Sequence, residues 1–393
     1  MEPEVSNRNR AAVLAHVLEA SPTTRAAAAT ATGLSPATVS RMVDALMSEG
    51  LLRETDEVAS GRRGRRATLL EAVADRSVVV GVDLGASSAR FIVADLLGQP
   101  LHHRTCPTPT DRGPAELAAW LAEEVVATAG DLADRLAAVA IGLPGAVRRH
   151  DRRVFSAPNL PQVEQPVFLD VLEERLGPGL DLDNDSNYAL LGEQRFGAAR
   201  SAPTAVMLTV GAGLGAGVAL DGRLLRGRNG LVGEFGHLPV GPLGSPLEHL
   251  VTGPGIMRRA AELGVDIASP AALFSPDADG QLLAMRRHVE QALLVVLTAA
   301  VVSYEPDTIV LGGRIARSLA PHLDGLGEDL RRTVPSAPPV VPAQLGDLSG
   351  ALGAVVAALH RVYLGLGVGE QDLVRVPRPR DLGLAESDLA DAG

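Results

Sequence analysis

Lysine is missing altogether: every one of the 36 basic residues in the 393-residue chain is arginine, against a background rich in alanine, glycine and proline. The bias reads as GC-rich coding, and it excludes lysine-based nucleophilic chemistry. Cysteine is reduced to Cys106, which rules out an internal disulfide and any multi-cysteine zinc site. Long apolar runs are also lacking. No stretch reaches the roughly 18 uninterrupted apolar residues of a membrane span. The opening MEPEVSNRNR has no signal-peptide core, so a cytoplasmic protein with no membrane partner is expected. What remains, 46% apolar and 21% charged residues, is enough for two or three globular domains with real cores. The net charge of −11 argues against indiscriminate attraction to nucleic acid, but DNA binding depends on where phosphate-facing charge sits rather than on the sum.

The first 75 residues have a pattern that locates such charge. Asn7 to Ala20 places Ala11, Leu14, Val17 and Leu18 on one helical face. Alanine-rich Thr24 to Thr32 favours a second helix, which Gly33 breaks. Ser35 and Pro36 then supply an N-cap and a first-turn proline for a third helix, running to about Glu49 and ending at Gly50. This helix is expected to bury Val39, Val43, Leu46 and Met47 while exposing Thr38, Ser40 and Arg41. Hydroxyls and an arginine at the N-terminal half of a recognition helix reach phosphates and base edges in the major groove, so Ser35, Thr38, Ser40 and Arg41 are candidate DNA contacts. Leu51 to Glu54 and Ala67 to Leu70 read as short strands flanking GRRGRR, which puts Arg62, Arg63, Arg65 and Arg66 on a wing able to follow a phosphate backbone. Either feature alone is as well explained by an ordinary three-helix bundle or a solvated loop; their order, helix, helix, turn, helix, basic wing, favours DNA.

Three glycine-bearing turns follow. Val78 to Val82 is an apolar strand ending in Asp83-Leu84-Gly85-Ala86-Ser87-Ser88, with a second strand from Ala89 to Asp95. Met207 to Leu220 is another hairpin around Gly211-Ala212-Gly213-Leu214-Gly215, and Thr308 to Gly313 ends a strand in a glycine pair. Small residues let backbone amides approach a phosphate, and an acid beside them can hold a metal ion or water. Asp83, Gly85, Ser87, Gly211, Gly213, Gly215, Gly312 and Gly313 are the resulting nucleotide-side candidates, although each turn by itself is only a turn.

The stretch GLSPATVSRMVDALMSEGLL resembles MarR-like and ROK-type winged helices, and the ordered turns over more than 200 residues resemble the ROK family of repressors and sugar kinases. That resemblance implies an α/β, actin-like (ribonuclease H-like) body of two lobes behind an α+β winged helix-turn-helix. The expected boundaries are 1–75 for the head, 76–183 for the first lobe and 184–367 for the second. Residues 368–393 would be a tail or a last helix returning to the first lobe. The resemblance also implies a sugar site. Ala157-Pro158-Asn159-Leu160 and Leu182-Asp183-Asn184-Asp185-Ser186-Asn187 are similar to sugar-contacting segments, as are Gly233-Glu234-Phe235-Gly236-His237 and the later Glu248. Asn159, Asn184, Asp185, Glu234, His237 and Glu248 would ring the sugar, with Asp185 as general base if the protein is a kinase.

The chain departs from the kinase pattern where cofactors would sit. Pro239 to Glu248, PVGPLGSPLE, replaces the cysteine-rich zinc loop, so His237 cannot be a structural zinc ligand of the family type and proline or packing must hold the loop. Ala86 and Ser87 replace a glycine and a threonine in the first phosphate turn, and Ala212 stands at a threonine position in the second. Each lost hydrogen bond to a charged phosphate costs on the order of 1.5–3 kcal/mol. The expected function is a DNA-binding regulator, chiefly a repressor, binding operator DNA as a homodimer or homotetramer, with a sugar or sugar phosphate as effector and no cofactor. The alternative is a sugar kinase using Mg-ATP, and a third reading is a body that only assembles oligomers.

Overall fold

The computed structural model describes residues 3–58, 67–240, 244–378 and 382–384. The chain begins with α1 (Pro3–Ala20), β1 (Thr23–Thr24), α2 (Arg25–Thr32) and α3 (Pro36–Ser48). Local chemistry sets these boundaries. The Thr24 hydroxyl accepts from the Ala27 amide at 3.1 Å and that of Ser35 from the Thr38 amide at 3.1 Å, so each helix has a capped start. Gly33 and Gly50 take the left-handed conformation, at φ +68° and +69°, that ends α2 and follows α3. The buried face of α3 is Val39, Met42, Val43 and Leu46. Met42 thus takes the place expected for Met47, because positions 39, 42, 43 and 46 complete one stripe of a 3.6-residue helix. β2 (Leu52–Val58) and β3 (Ala67–Ala72) pair antiparallel and run longer than the sequence pattern indicated, with β1 added as a third strand on β3. Arg62, Arg63, Arg65 and Arg66 lie outside the described residues.

Two sheets of the same plan follow. β4 (Val78–Leu84), β5 (Ser88–Asp95) and β6 (Pro100–Pro107) form an antiparallel meander. Past α4 (Pro114–Ala129), β7 (Leu136–Leu143) joins parallel to β4. A ribbon of β8 (Ala146–Val147) and β9 (Val154–Phe155) leads to α5 (Pro166–Leu176), and β10 (Leu180–Asn184) adds parallel to β7. The sheet order is therefore β10-β7-β4-β5-β6. After α6 (Asp185–Phe196), β11 (Ala205–Val210), β12 (Leu214–Leu220) and β13 (Arg223–Leu224) make the second meander. A ribbon of β14 (Pro239–Val240) and β15 (Ser245–Pro246) is followed by α7 (Glu248–Val251), α8 (Gly253–Leu263) and α9 (Gly280–Tyr304). Then β16 (Thr308–Gly312), α10 (Arg314–Leu319), α11 (Leu323–Thr333) and β17 (Val340–Pro342) complete an order β13-β12-β11-β16-β17. In each sheet the first strand lies between its own antiparallel hairpin and two later parallel strands, a duplicated ribonuclease H-like plan.

The last long helix, α12 (Ser349–Gly365), does not belong to the second lobe in which it was expected. It packs on β4, β5 and β7 of the first sheet and crosses α6. The crossing is close because both helices carry glycine there: a Cβ on Gly353 would lie 1.6 Å from the Tyr188 carbonyl oxygen, and one on Gly192 2.4 Å from that of Ser349. Leu352, Val355, Val356 and Leu359 are completely buried, each contributing about 1.5–3 kcal/mol by leaving water. Gly346–Gly365 is long and apolar enough to cross a membrane, but 72% of that window is buried inside the protein, as a core helix would be. The same cluster of buried side chains runs from Leu14, Leu46 and Leu70 of the head through α12 to Val368 and Val376. Head and body therefore share a core. Among the described residues after Val368, a 3₁₀ segment, Glu370–Arg375, lies between α12, α6 and the head. His360 meets the Val376 carbonyl at 2.8 Å, and Arg375 pairs with Glu19 of α1 at 3.3 Å.

Candidate functional site

Two features on the head side and the body side can carry function. On the head, α3 presents Ser35 and Arg41 exposed, with Thr38 and Ser40 half-buried. The Ser35 and Thr38 hydroxyls lie 2.9 Å apart, so both already serve the helix cap and could contact DNA only through their remaining lone pairs or hydrogens. The arginines divide sharply. Arg10 binds Glu49, Arg25 binds Asp44 at 2.9 Å and Glu54 at 3.0 Å, Arg53 binds Glu71 at 3.2 Å, and Arg76 donates to the Glu49 carbonyl. Among the described residues of the head, only Arg8 and Arg41 make neither an ion pair nor a hydrogen bond. Arg41 is thus an uncompensated cation on the exposed face of the third helix.

On the body, both meanders aim their first turns into one cleft of about 450 Å³. Asp83, Gly85, Ala86 and Ser87 come from the β4–β5 turn, Gly211 and Ala212 from the β11–β12 turn, and Gly313 from the end of β16. These are the nucleotide-side candidates, and the fold brings them together with Asp185. Gly213, Gly215 and Gly312 do not line the cavity. Gly215 is required by close packing, since a Cβ would fall 2.1 Å from the Ser186 hydroxyl, and Gly312 by the Met207 side chain at 2.4 Å. Gly213 faces Asn159, whose amide nitrogen lies 3.7 Å from where a Cβ would be.

Asp185 opens α6 directly after β10, the position where a parallel strand delivers a helix N-terminus to a cleft. Its Oδ1 accepts from the Ser186 amide at 2.6 Å and the Ser186 hydroxyl at 3.1 Å. Desolvation pushes the carboxyl up to about 6, with the Ser186 and Asn184 hydrogen bonds opposing and Glu234 adding to the shift. Burial also raises Glu234; nearby His237 counteracts this and Glu248 reinforces it. His237 is exposed, with Nε2 3.8 Å from the Glu234 carboxylate, and Glu248 Oε2 stands 3.4 Å from the Cβ position of Gly236. Asp185, Glu234, His237 and Glu248, four of the expected sugar-ring residues, therefore form one electrostatically coupled group. Asn184 is buried differently from a free ligand. It caps α6, accepting from the Ser186 and Asn187 amides at 2.9 and 3.3 Å, donates to the Gly145 carbonyl at 3.0 Å, and turns its remaining hydrogen-bonding capacity towards the Asp185 carboxylate. The loop after His237 is held by the β14–β15 ribbon and by the fully buried Leu247.

The Asp83 end of the cleft contains residues that the sequence reading missed. Arg90 projects from β5 to within 3.8 Å of Asp83 and 3.5 Å of Asp347, and Arg317 pairs with Asp347 at 2.6 Å. A charged residue at position 90, between buried Ala89 and Phe91, was the available signal; Asp347 had none. Desolvation and the proximity of Asp185 push Asp83 up to about 7, with Arg90 opposing and Asp347 adding. These residues do not fit a magnesium ion on Asp83. Burial favours the protonated form of Asp83, Arg90 stands 3.8 Å from it, and Gly350 of α12 lies so close that a Cβ there would be 2.8 Å from its carboxyl carbon. Among the described residues no group of three His, Cys, Asp or Glu side chains could hold a metal ion.

Comparison with known proteins agrees with this two-part organisation. The ROK family model matches residues 79–361, and an IclR helix-turn-helix domain model matches residues 10–56, where the sequence resembled MarR-like and ROK-type winged helices. A putative xylose repressor of Caldicellulosiruptor sp. (strain Rt8B.4) is 28% identical over 235 residues, covering 59% of this chain and 58% of that relative. The chain thus aligns with under two thirds of that repressor's length. The crystal structure of a ROK hexokinase from Thermus thermophilus has a TM-score of 0.64 at 32% identity, covering 72% of this chain and 99% of the hexokinase. The crystal structure of a ROK family transcriptional regulator, a homologue of the E. coli MLC protein, has a TM-score of 0.76 at 21% identity, covering 94% of this chain and 99% of the other; at that identity the likeness establishes the fold.

Proposed function

The chain belongs to the ROK family, and from that premise we propose that it is a DNA-binding transcriptional repressor whose kinase-like body takes a sugar or sugar derivative as effector. One observation carries the proposal: a helix-turn-helix with an unpaired Arg41 on its third helix shares a continuous core with the body that holds the cleft. The ROK regulator and the xylose repressor among the relatives support it. DNA is the output and the cleft is the input. An effector shifts operator affinity only by binding two conformations of the protein unequally, and a shared core gives closure of the lobes a route to the head. Sugar contacts fall to Asn159, Asp185, Glu234, His237 and Glu248, with Asn184 holding Asp185 in position. Ser40 and Arg41 read DNA, and Ser35 and Thr38 contribute backbone contacts at the helix start. Val295 and Val302 on α9, with Leu250, Met257 and Leu263 nearby in sequence, are exposed apolar residues on the second lobe, which supports assembly into a homodimer or homotetramer that spans two half-sites of an operator in the cytoplasm. The regulator needs no cofactor.

The test is binding of the full chain to its own promoter region by fluorescence anisotropy, across a salt series and with a sugar panel. Salt-dependent binding that falls by about tenfold or more in Arg41→Ala is expected. Absence of salt-dependent binding with every sugar removes the proposal. One observation favours a second reading, a sugar kinase: Asp185, at about 6, can accept a proton from a sugar hydroxyl. Sugar-dependent ATP turnover lost in Asp185→Ala would support it, and equal background in both proteins would remove it.

A further inference from the structure

A second cavity, of about 390 Å³, lies two turns or more along α12 from the cleft, where Ala357, His360, Arg361 and Leu364 form its floor. Its walls come from every part of the body. Arg149 and Asp181 belong to the first lobe, Arg223 and Arg226 to the β13 region of the second, and Glu370, Leu373 and Val374 to the C-terminal 3₁₀ segment. Four arginines thus face two carboxylates. Asp181 already accepts the Tyr188 hydroxyl at 3.0 Å. Arg226 commits only its Nε, to Asp183, and Arg361 donates to the Pro178 carbonyl through one terminal nitrogen, so both keep further N–H groups. Among the described residues Arg149 and Arg223 make no ion pair or hydrogen bond. Behind the wall Arg195 is buried without a carboxylate, donating to the Leu373 and Val374 carbonyls at 3.2 and 2.7 Å. Like charges gathered round one concavity repel unless an anion joins them, and guanidinium forks suit phosphate oxygens in a bidentate geometry.

We propose that this cavity is a second ligand site, separate from the sugar cleft, for the phosphate group of a small phosphorylated metabolite. Arg149 and Arg223 close on the phosphate from opposite lobes, and Arg226 and Arg361 hold it from below. The volume is in the range of small-molecule sites. Because the walls belong to both lobes and to the segment whose Arg375 pairs with Glu19 of the head, an occupied site bridges the three. Binding itself does not depend on what the cleft takes or on whether the head binds DNA.

The experiment measures thermal midpoint and calorimetric affinity of the full chain with inorganic phosphate, and with glycerol phosphate and a hexose phosphate, at constant ionic strength set by chloride. The arms separate free phosphate from a phosphate ester as the source. Expected are saturable binding in the wild type, affinity about tenfold weaker in either Arg149→Gln or Arg223→Gln and more in the double variant, and binding retained in Asp185→Ala. These arginines are exposed, so the variants should fold. The proposal is overturned if no probe binds, if chloride reproduces the effect, if the double variant binds as well as wild type, or if Asp185→Ala abolishes binding and so places the anion in the cleft. It is equally overturned if the double variant lowers only the salt dependence of operator binding, which would assign the arginines to DNA.

Discussion

The two ends of one cleft have been treated differently. At the end proposed for the sugar, Asp185, Glu234, His237 and Glu248 converge, with burial raising Asp185 and Glu234 while His237 stays exposed beside Glu234. At the nucleotide end alanine stands in both phosphate turns, and the Asp83 carboxylate faces Arg90, which with Arg317 also holds Asp347. The Asp83 end is formed by the first turns of the two meanders, whereas Asp185, Glu234, His237 and Glu248 come from the start of α6, a 3₁₀ turn and α7, so each end draws its chemistry from the side chains those segments carry. A binding function needs the first end only, whereas phosphoryl transfer needs both.

The largest expected effect would abolish the comparison by removing the frame that carries both ends. Gly353→Ala drives a methyl group into the Tyr188 carbonyl at the α6–α12 crossing and should cost about 3 kcal/mol or more, read as the urea midpoint. Next, Asp185→Ala should weaken binding of the cleft sugar by about 10- to 150-fold in calorimetry, as expected for a lost hydrogen bond to a charged group. Asp83→Ala should change it less than about threefold, and equal losses would erase the distinction between the ends. Restoring the turns with Ala86→Gly and Ala212→Thr together should raise ATP affinity by about tenfold in equilibrium dialysis, since one charge-assisted hydrogen bond returns. Unchanged affinity would place the obstacle in Arg90 and Asp347 instead.

The smallest effect is a pH slope. Asp83, at about 7 in the folded chain against an ordinary value near 4, favours its protonated form when folded. Its contribution to stability is complete below pH 4 and is lost as pH rises through 7. His360 acts oppositely: burial lowers it to about 3 from 6.5, so its contribution is lost as pH falls below 6.5. The Asp83 slope stands clear between pH 6.5 and 8, where the wild type should lose under about 1 kcal/mol. In Asp83→Asn thermal unfolding should show that slope flattened; an unaltered slope would mean that the nucleotide end does not hold Asp83 protonated.

The sequence was most legible where local chemistry decides the outcome. The Ser35 cap, left-handed glycines at 33 and 50, and apolar stripes fix α2 and α3 within a residue or two, whereas α1 begins at Pro3, ahead of the expected Asn7. The misplacement of Met47 for Met42 came from a stripe whose edge two methionines could both fit. In the cleft, Asp83, Gly85, Ser87, Gly211 and Gly313 were expected from turns next to β-rich runs and Asp185 from the family resemblance, and the fold brings them together. Gly215 and Gly312 were misread because a glycine needed for close packing has the same sequence signature as one needed for a phosphate.

By itself, then, the sequence determined the secondary elements, their caps and turns, and which residue types were available for chemistry, because those depend on neighbours within a few positions. Only the tertiary structure decided that α12 returns to the first sheet, that the C-terminal segment is wedged against α1, and that Arg90 meets Asp83 and Asp347. It also gathered Arg149, Arg223, Arg226 and Arg361, separated by up to hundreds of positions, around one cavity. Such long-range pairings are set by packing of whole elements against a shared core, and no local pattern in the chain encodes which distant partner a buried face will find.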